Sequence, residues 1–159
     1  ETLASDMKTL DLGGRTFDLI WAEGSVFVMG LREALKAWWD FLKPGGALGF
    51  TEMAWFAEGA PQECRDFLLG EYPPMTDVAS NLAIIDRAGY ELVDHFPRPE
   101  SCWKEVFYGP LKQRLKAYES PWDDDEARAV VAMISGEIEN YRKYSQYYGY
   151  EFFLLRKPE

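Results

Sequence analysis

The sequence predicts an α/β fold built on parallel strands with helices between them, and three observations predict it. Residues Phe17-Asp-Leu-Ile-Trp-Ala22 form a short apolar run with one charge, as expected of a strand covered on both faces. Residues 31–41 carry Leu31, Ala34, Leu35 and Trp38, with Leu42 next in the series, which is helical spacing. Residues 47–52, Ala-Leu-Gly-Phe-Thr-Glu, form a second buried run. Strand, helix and strand in that order make one unit of a parallel sheet.

The remaining elements follow in order. Residues 1–16 are polar, and Gly13-Gly14 marks a turn. Lys43 falls in the expected last turn of the first helix, where a cation suits the dipole, and Pro44-Gly45-Gly46 is expected to end that helix. Residues 61–71 open on Pro61, a good first helical residue, and Tyr72-Pro73-Pro74 breaks the helix. Thr76 is expected to cap a helix over 76–88 that Gly89 closes. Residues 90–96 alternate as a strand, ended by Pro97 and Pro99. A short helix is expected over 110–118 and a long one over 123–148. The long helix opens on Asp123, Asp124, Asp125 and Glu126, favoured by the dipole, and its apolar stripe runs Ala127, Val130, Val131, Ile134, Ile138 and Tyr141. Gly149 is expected to end it, and residues 150–156 form the last strand, which a helix-then-strand ending allows to be antiparallel.

At 159 residues, with 47% hydrophobic and 16% aromatic content, the chain is expected to form a single domain with a real core over residues 1–159. A net charge of −10 argues against nucleic acid and against an anionic membrane surface. No apolar run approaches the roughly 20 residues that span a bilayer, and residues 1–6 do not read as a signal peptide. Cys64 and Cys102 lie far apart without metal-like spacing and read as reduced thiols, so the expected location is cytoplasmic. The chain opens on Glu1 and not on methionine, which fits a trimmed, a processed or a fragmentary chain alike. No metal site is expected: His95 is the lone histidine, and 123–126 lacks the glycine and ligand spacing of a calcium loop.

Three groups of residues carry candidate chemistry. Glu23 and Glu52 follow apolar runs at the carboxyl ends of neighbouring strands, the edge where open α/β sheets bind ligands. With His95 they are the candidate catalytic residues, a polar cluster that could supply a base; alternatively each glutamate bonds loop N–H groups and the histidine is structural. Phe27, Trp55, Tyr72, Trp103 and Tyr108, with Phe56 and Phe107 nearby, either line a substrate pocket or form core. Trp38 and Trp39 diverge by about 100° on a helix, so one of them is expected to face outward as an interface marker.

Taken in order, Ser5-Asp6-Met7, Trp21-Ala22-Glu23-Gly24, Leu42-Lys-Pro-Gly-Gly46, Gly89-Tyr90, Pro99-Glu100-Ser101 with Trp103 and Tyr108, and Tyr148-Gly149-Tyr150 resemble the C-terminal portion of a class I S-adenosylmethionine-dependent methyltransferase. The resemblance implies a partial Rossmann-like sheet in the strand order four, five, seven, six, with helices on its faces and the last strand antiparallel. It also implies a cofactor-binding set of Asp6, Met7, Trp21, Ala22, Glu23 and Gly24, with the acid near the adenine and the 21–24 loop where the methionine end meets the substrate. Asp6 is otherwise a solvated acid. The family's first strand, its Gly-x-Gly-x-Gly loop and its acidic second-strand end have no counterpart here. That loop works by bringing backbone N–H groups close to the ligand.

Half of a cofactor site is therefore expected, with S-adenosylmethionine bound only if the site is completed and otherwise no cofactor. Phe17–Ala22 would become a sheet edge, and a bare apolar edge invites pairing. The expected partner is a second copy, joined antiparallel across a two-fold axis. Three readings stand: a methyltransferase relative acting on a small molecule, a non-catalytic dimerising or ligand-binding module derived from that fold, or an unrelated α+β binding domain.

Overall fold

The computed structural model describes residues 2–118 and 125–159. Five strands form one sheet: β1 (Phe17–Ala22), β2 (Leu42–Trp55), β3 (Thr76–Asp77), β4 (Glu91–Pro97) and β5 (Tyr148–Arg156). The order is β1-β2-β5-β4, and the short β3 pairs parallel with the end of β2. β1 and β2 are parallel, while β5 is antiparallel to both β2 and β4. This is the order four, five, seven, six, with its last strand reversed. β5 runs antiparallel to its neighbours because it enters at Tyr148, beside the ends at which β2 and β4 finish.

The helices are α1 (Leu31–Trp39), α2 (Gln62–Glu71), α3 (Val78–Arg87), α4 (Gly109–Tyr118) and α5 (Asp125–Tyr144), with a π-helical turn at Cys102–Tyr108. α1 and α3 seal one face of the sheet. Leu31, Ala34, Leu35, Trp38 and Ile85 pack there against Leu48, Phe50, Phe153 and Leu155, with the Phe50 and Phe153 rings stacked at 5.3 Å. A second core, around Trp103, Tyr108, Ile138, Tyr141 and Tyr148, lies beneath α5 and the π-helical turn.

Several local expectations are corrected. α1 stops at Trp39, and Pro44-Gly45-Gly46 lies inside β2. The register moves from Phe17↔Leu42 to Leu19↔Ala47, so these residues form a bulge, which Gly45 permits at φ 73°. A side chain on Gly46 would press to 2.9 Å from the Lys43 carbonyl oxygen. Lys43 accordingly pairs with Asp18 on β1 at 2.9 Å and does not cap α1. Lys157 does so instead: its Nζ donates to the carbonyls of Trp39 (2.7 Å) and Leu42 (2.9 Å).

The cap of α3 is Asp77, accepting from the Ser80 N–H at 2.7 Å, because Thr76 is taken up by the bridge to β2. Pro61 is the cap of α2 and not its first residue. Gly149 lies within β5, where a Cβ would come 2.8 Å from the Phe56 ring. α5 ends at Tyr144, and its predicted start at Asp123 and Asp124 lies outside the described residues. Of its stripe, Ile138 and Tyr141 are buried and Val130 is exposed. Trp38 is buried and Trp39 half-buried, but Tyr90 meets Trp39 edge-on at 4.9 Å and Lys157 lies over its ring, so its own chain occupies that ring.

β1 departs furthest from its expected environment. Ile20 and Ala22 face the sealed core, but Leu19 is 53% and Trp21 56% exposed. The run is covered on one face only, and its outer edge pairs with no strand among the described residues. Trp21 lies flat over Gly49, which leaves room for the ring, and touches Phe152 at 5.1 Å.

Candidate functional site

A cavity of about 660 Å³ opens beyond the carboxyl end of β1, beside the loop that follows it. Its floor is Thr51, Glu52 and Met53 of β2 with Tyr148 and Tyr150 of β5. One wall is the π-helical turn, with Trp103, Phe107 and Tyr108; another is the end of α2, with Leu68 and Tyr72. Met133 and Glu137 of α5 complete it, and Gly24, Ser25 and Phe27 form the rim. Gly24 has φ 57°, and its N–H donates to Thr51 Oγ1 at 2.9 Å, which ties the rim to the floor.

The aromatic wall is ordered by stacking. Trp103 lies between Tyr141 (4.8 Å) and Tyr150 (5.0 Å, planes 10° apart). The wider turn of the π-helix, with its i→i+5 repeat, brings Trp103 and Tyr108 inward from adjacent turns, and their rings meet at 5.5 Å.

Two carboxylates are held in this wall by phenols. Tyr72 donates to Glu52 Oε1 at 2.6 Å, and Tyr108 donates to Glu137 Oε1 at 2.7 Å. Glu52 is only 3% exposed, and burial raises its pKa to about 7 even though the Tyr72 hydrogen bond pulls it down. Burial, then the partner carboxylate, push both phenols well above their ordinary value.

Of the candidate catalytic residues, only Glu52 reaches the cavity. Glu23 is drawn aside: Arg98 pairs with its Oε2 at 2.8 Å, and Trp21 Nε1 donates to its Oε1 at 2.7 Å. His95 sits on β4, hydrogen-bonded to buried Glu151 and stacked on Phe153 at 6.0 Å. The three do not form one cluster, because β5 separates His95 from β2 and Arg98 claims Glu23. Of the candidate pocket residues, Phe27, Tyr72, Trp103 and Tyr108 line the cavity. Trp55 instead meets Tyr148 edge-on at 6.2 Å with the Arg65 guanidinium over its ring.

Of the candidate cofactor residues, Gly24 is at the cavity rim, with Ala22 and Glu23 immediately before it and the Trp21 ring on the open face. Asp6 caps the short turn Met7–Thr9 by accepting from the Lys8 N–H at 2.9 Å, and neither Asp6 nor Met7 lines the cavity. These residues fit one wall of an S-adenosylmethionine site: a positive-φ glycine allows close backbone approach, and an exposed indole offers a flat apolar surface. They do not fit a whole site, because Glu23 and Asp6 spend their carboxylates within the chain.

Sequence reading missed Thr51, Tyr150, Arg98 and Glu137. Tyr150 falls at the start of the expected last strand, and nothing in the sequence says what covers it. Glu137 lies on the polar side of the α5 stripe and reads as solvated.

No family model and no curated protein sequence matches the chain. Solved structures do. The chain is similar to a SAM-dependent methyltransferase from Geobacter sulfurreducens in complex with S-adenosyl-L-homocysteine, at 20% identity and TM-score 0.71, covering 96% of this chain and 62% of that one. It is similar to the cyclase SpnF at 26% identity and TM-score 0.73, covering 98% and 56%. It is similar to a putative sarcosine dimethylglycine methyltransferase from Galdieria sulphuraria at 18% identity and TM-score 0.72, covering 97% and 58%. The fold is that of class I S-adenosylmethionine-dependent methyltransferases. The chain spans about three fifths of the length of the solved proteins it matches.

Proposed function

We propose that this chain is a relative of the S-adenosylmethionine-dependent methyltransferases that acts on a small molecule, holding the acceptor side of the site and one wall of the cofactor side. The observation that carries this is the aromatic cavity at the carboxyl ends of β1 and β2, rimmed by Gly24. Ligands of open α/β sheets bind at that edge. S-adenosylmethionine would lie against Trp21, Ala22, Glu23 and Gly24, with Asp6 and Met7 farther along, and supply the methyl group. The remaining contacts belong to whatever covers the edge of β1.

A second copy is the proposed cover, pairing β1 with β1 antiparallel. The exposed Leu19 and Trp21 beside an unpaired edge support it, since such an edge is an aggregation liability if left bare. The engaged carboxylates of Glu23 and Asp6 favour a second reading, a non-catalytic module that keeps the cavity and has lost the cofactor.

Calorimetric titration of the 159-residue protein with S-adenosylmethionine, with molar mass measured on the same sample, tests both points. Saturable binding by a particle of twice the 18.3 kDa chain mass is the expected result. A folded dimer that binds none overturns the methyltransferase reading in favour of the module. A monomer removes the second copy.

A further inference from the structure

The cavity is acidic as well as aromatic. Glu52, Glu71 and Glu137 line it, and its one basic lining residue among the described residues, Arg98, is already paired with Glu23 at 2.8 Å. Glu52 is almost wholly buried, and Tyr72 occupies only its Oε1; Oε2 makes no hydrogen bond among the described residues. Oε2 therefore keeps solvent contact, and it is the oxygen that a cation or donor entering the cavity can meet. Tyr150 lines the cavity with it, stacked through one face on Trp103, and aromatic faces attract cations. Anionic ligands would meet three carboxylates and a neutralised guanidinium.

We propose that the cavity binds an amine or quaternary ammonium compound, its cationic head seated against Glu52 and the ring of Tyr150. On the methyl-transfer reading above, on which this assignment rests for its role, that compound is the methyl acceptor or its product. Binding itself requires no cofactor.

The environment of Glu52 makes the affinity pH-dependent. The groups around it are Tyr72 and Glu71 at the end of α2, Tyr150 and Glu151 on β5 (the latter engaged by His95 of β4), Arg98 after β4, and Glu137 on α5. None of these pairs a positive charge with Glu52 in the absence of ligand. A cation therefore binds to the ionised form and competes with its proton.

The test compares choline with 3,3-dimethyl-1-butanol, its uncharged isostere, by calorimetry on the wild-type protein without S-adenosylmethionine, between pH 5.5 and 8.5. At pH 8 choline is expected to bind at least tenfold more tightly than the alcohol. Its affinity should fall several-fold as the pH drops below 7, while that of the alcohol stays level. Glu52→Gln should bring the two ligands to parity and flatten the choline profile, with Glu137→Gln as a second variant if Glu52→Gln does not fold. Equal or tighter binding of the alcohol to folded wild-type protein at pH 8 overturns the proposal, as does a choline preference that both variants leave intact. Choline selectivity in a protein that binds no S-adenosylmethionine upholds the ammonium site while the methyl-transfer reading falls.

Discussion

On one face of the sheet Leu48, Phe50, Phe153 and Leu155 are sealed under α1 and α3, while on the other Leu19, Trp21 and Phe96 stay open to solvent and only the carboxyl-end half is roofed, by α5 and the π-helical turn. Both faces are apolar in sequence. They differ in what the chain can lay over them: α1 and α3 are crossovers of this chain, and no helix of the described residues covers β1 from the other side. One face is thus a finished core, and the other combines a cavity with an unfinished surface. Stability is expected to reside in the first, and binding and association in the second.

The largest effect should come from the sealed face. Phe50→Ala removes a fully buried ring stacked on Phe153 and should cost about 3–5 kcal/mol in urea or guanidinium unfolding. A cost below about 1 kcal/mol would break the contrast between the two faces.

The roofed half should respond to pH in the opposite sense from ordinary carboxylates. Glu52 has its folded pKa raised to about 7, so the folded state binds its proton more tightly than the unfolded state. Its favourable contribution is complete below the unfolded pKa and is lost as pH rises through 7. Glu52→Gln should therefore be more stable than wild type at pH 8 by on the order of 2–3 kcal/mol, and match it near pH 4. Parallel stability curves for the two proteins would refute this.

Lys157 joins the C-terminal segment to the end of α1. Lys157→Met keeps the stem over Trp39 and removes the two hydrogen bonds to backbone carbonyls, so it should cost about 1–2 kcal/mol, read from the shift in denaturation midpoint. The smallest effect on stability, within about 0.5 kcal/mol, is expected for Leu19→Lys on the open face. If β1 pairs with β1 of a second copy as proposed, its consequence should be a halved molar mass, and a variant that is still dimeric would place the association elsewhere.

Much of the fold was legible because the residues that form it act locally. Alternating and 3.6-residue apolar spacing marked the principal helices and the long strands of the sheet. Phe27, Tyr72, Trp103 and Tyr108 read in the sequence as pocket or core alike; they line the cavity, and Trp103 and Tyr108 also belong to the second core. Lys43 and the Pro44-Gly45-Gly46 bulge were misread because helix-stop chemistry and bulge chemistry use the same residues. Only the β1–β2 register tells them apart.

Sequence alone determined the helix and strand periods, the buried face of α1 and the acidic balance of the chain, since each depends on side chains near one another along the backbone. Tertiary structure alone decided that Glu52 meets Tyr72, that Arg98 takes Glu23 away from the cavity, that His95 goes to Glu151, and that Lys157 closes α1. Those pairings join residues 20 to 118 positions apart. Their energies depend on burial and on competing partners, which no local pattern encodes.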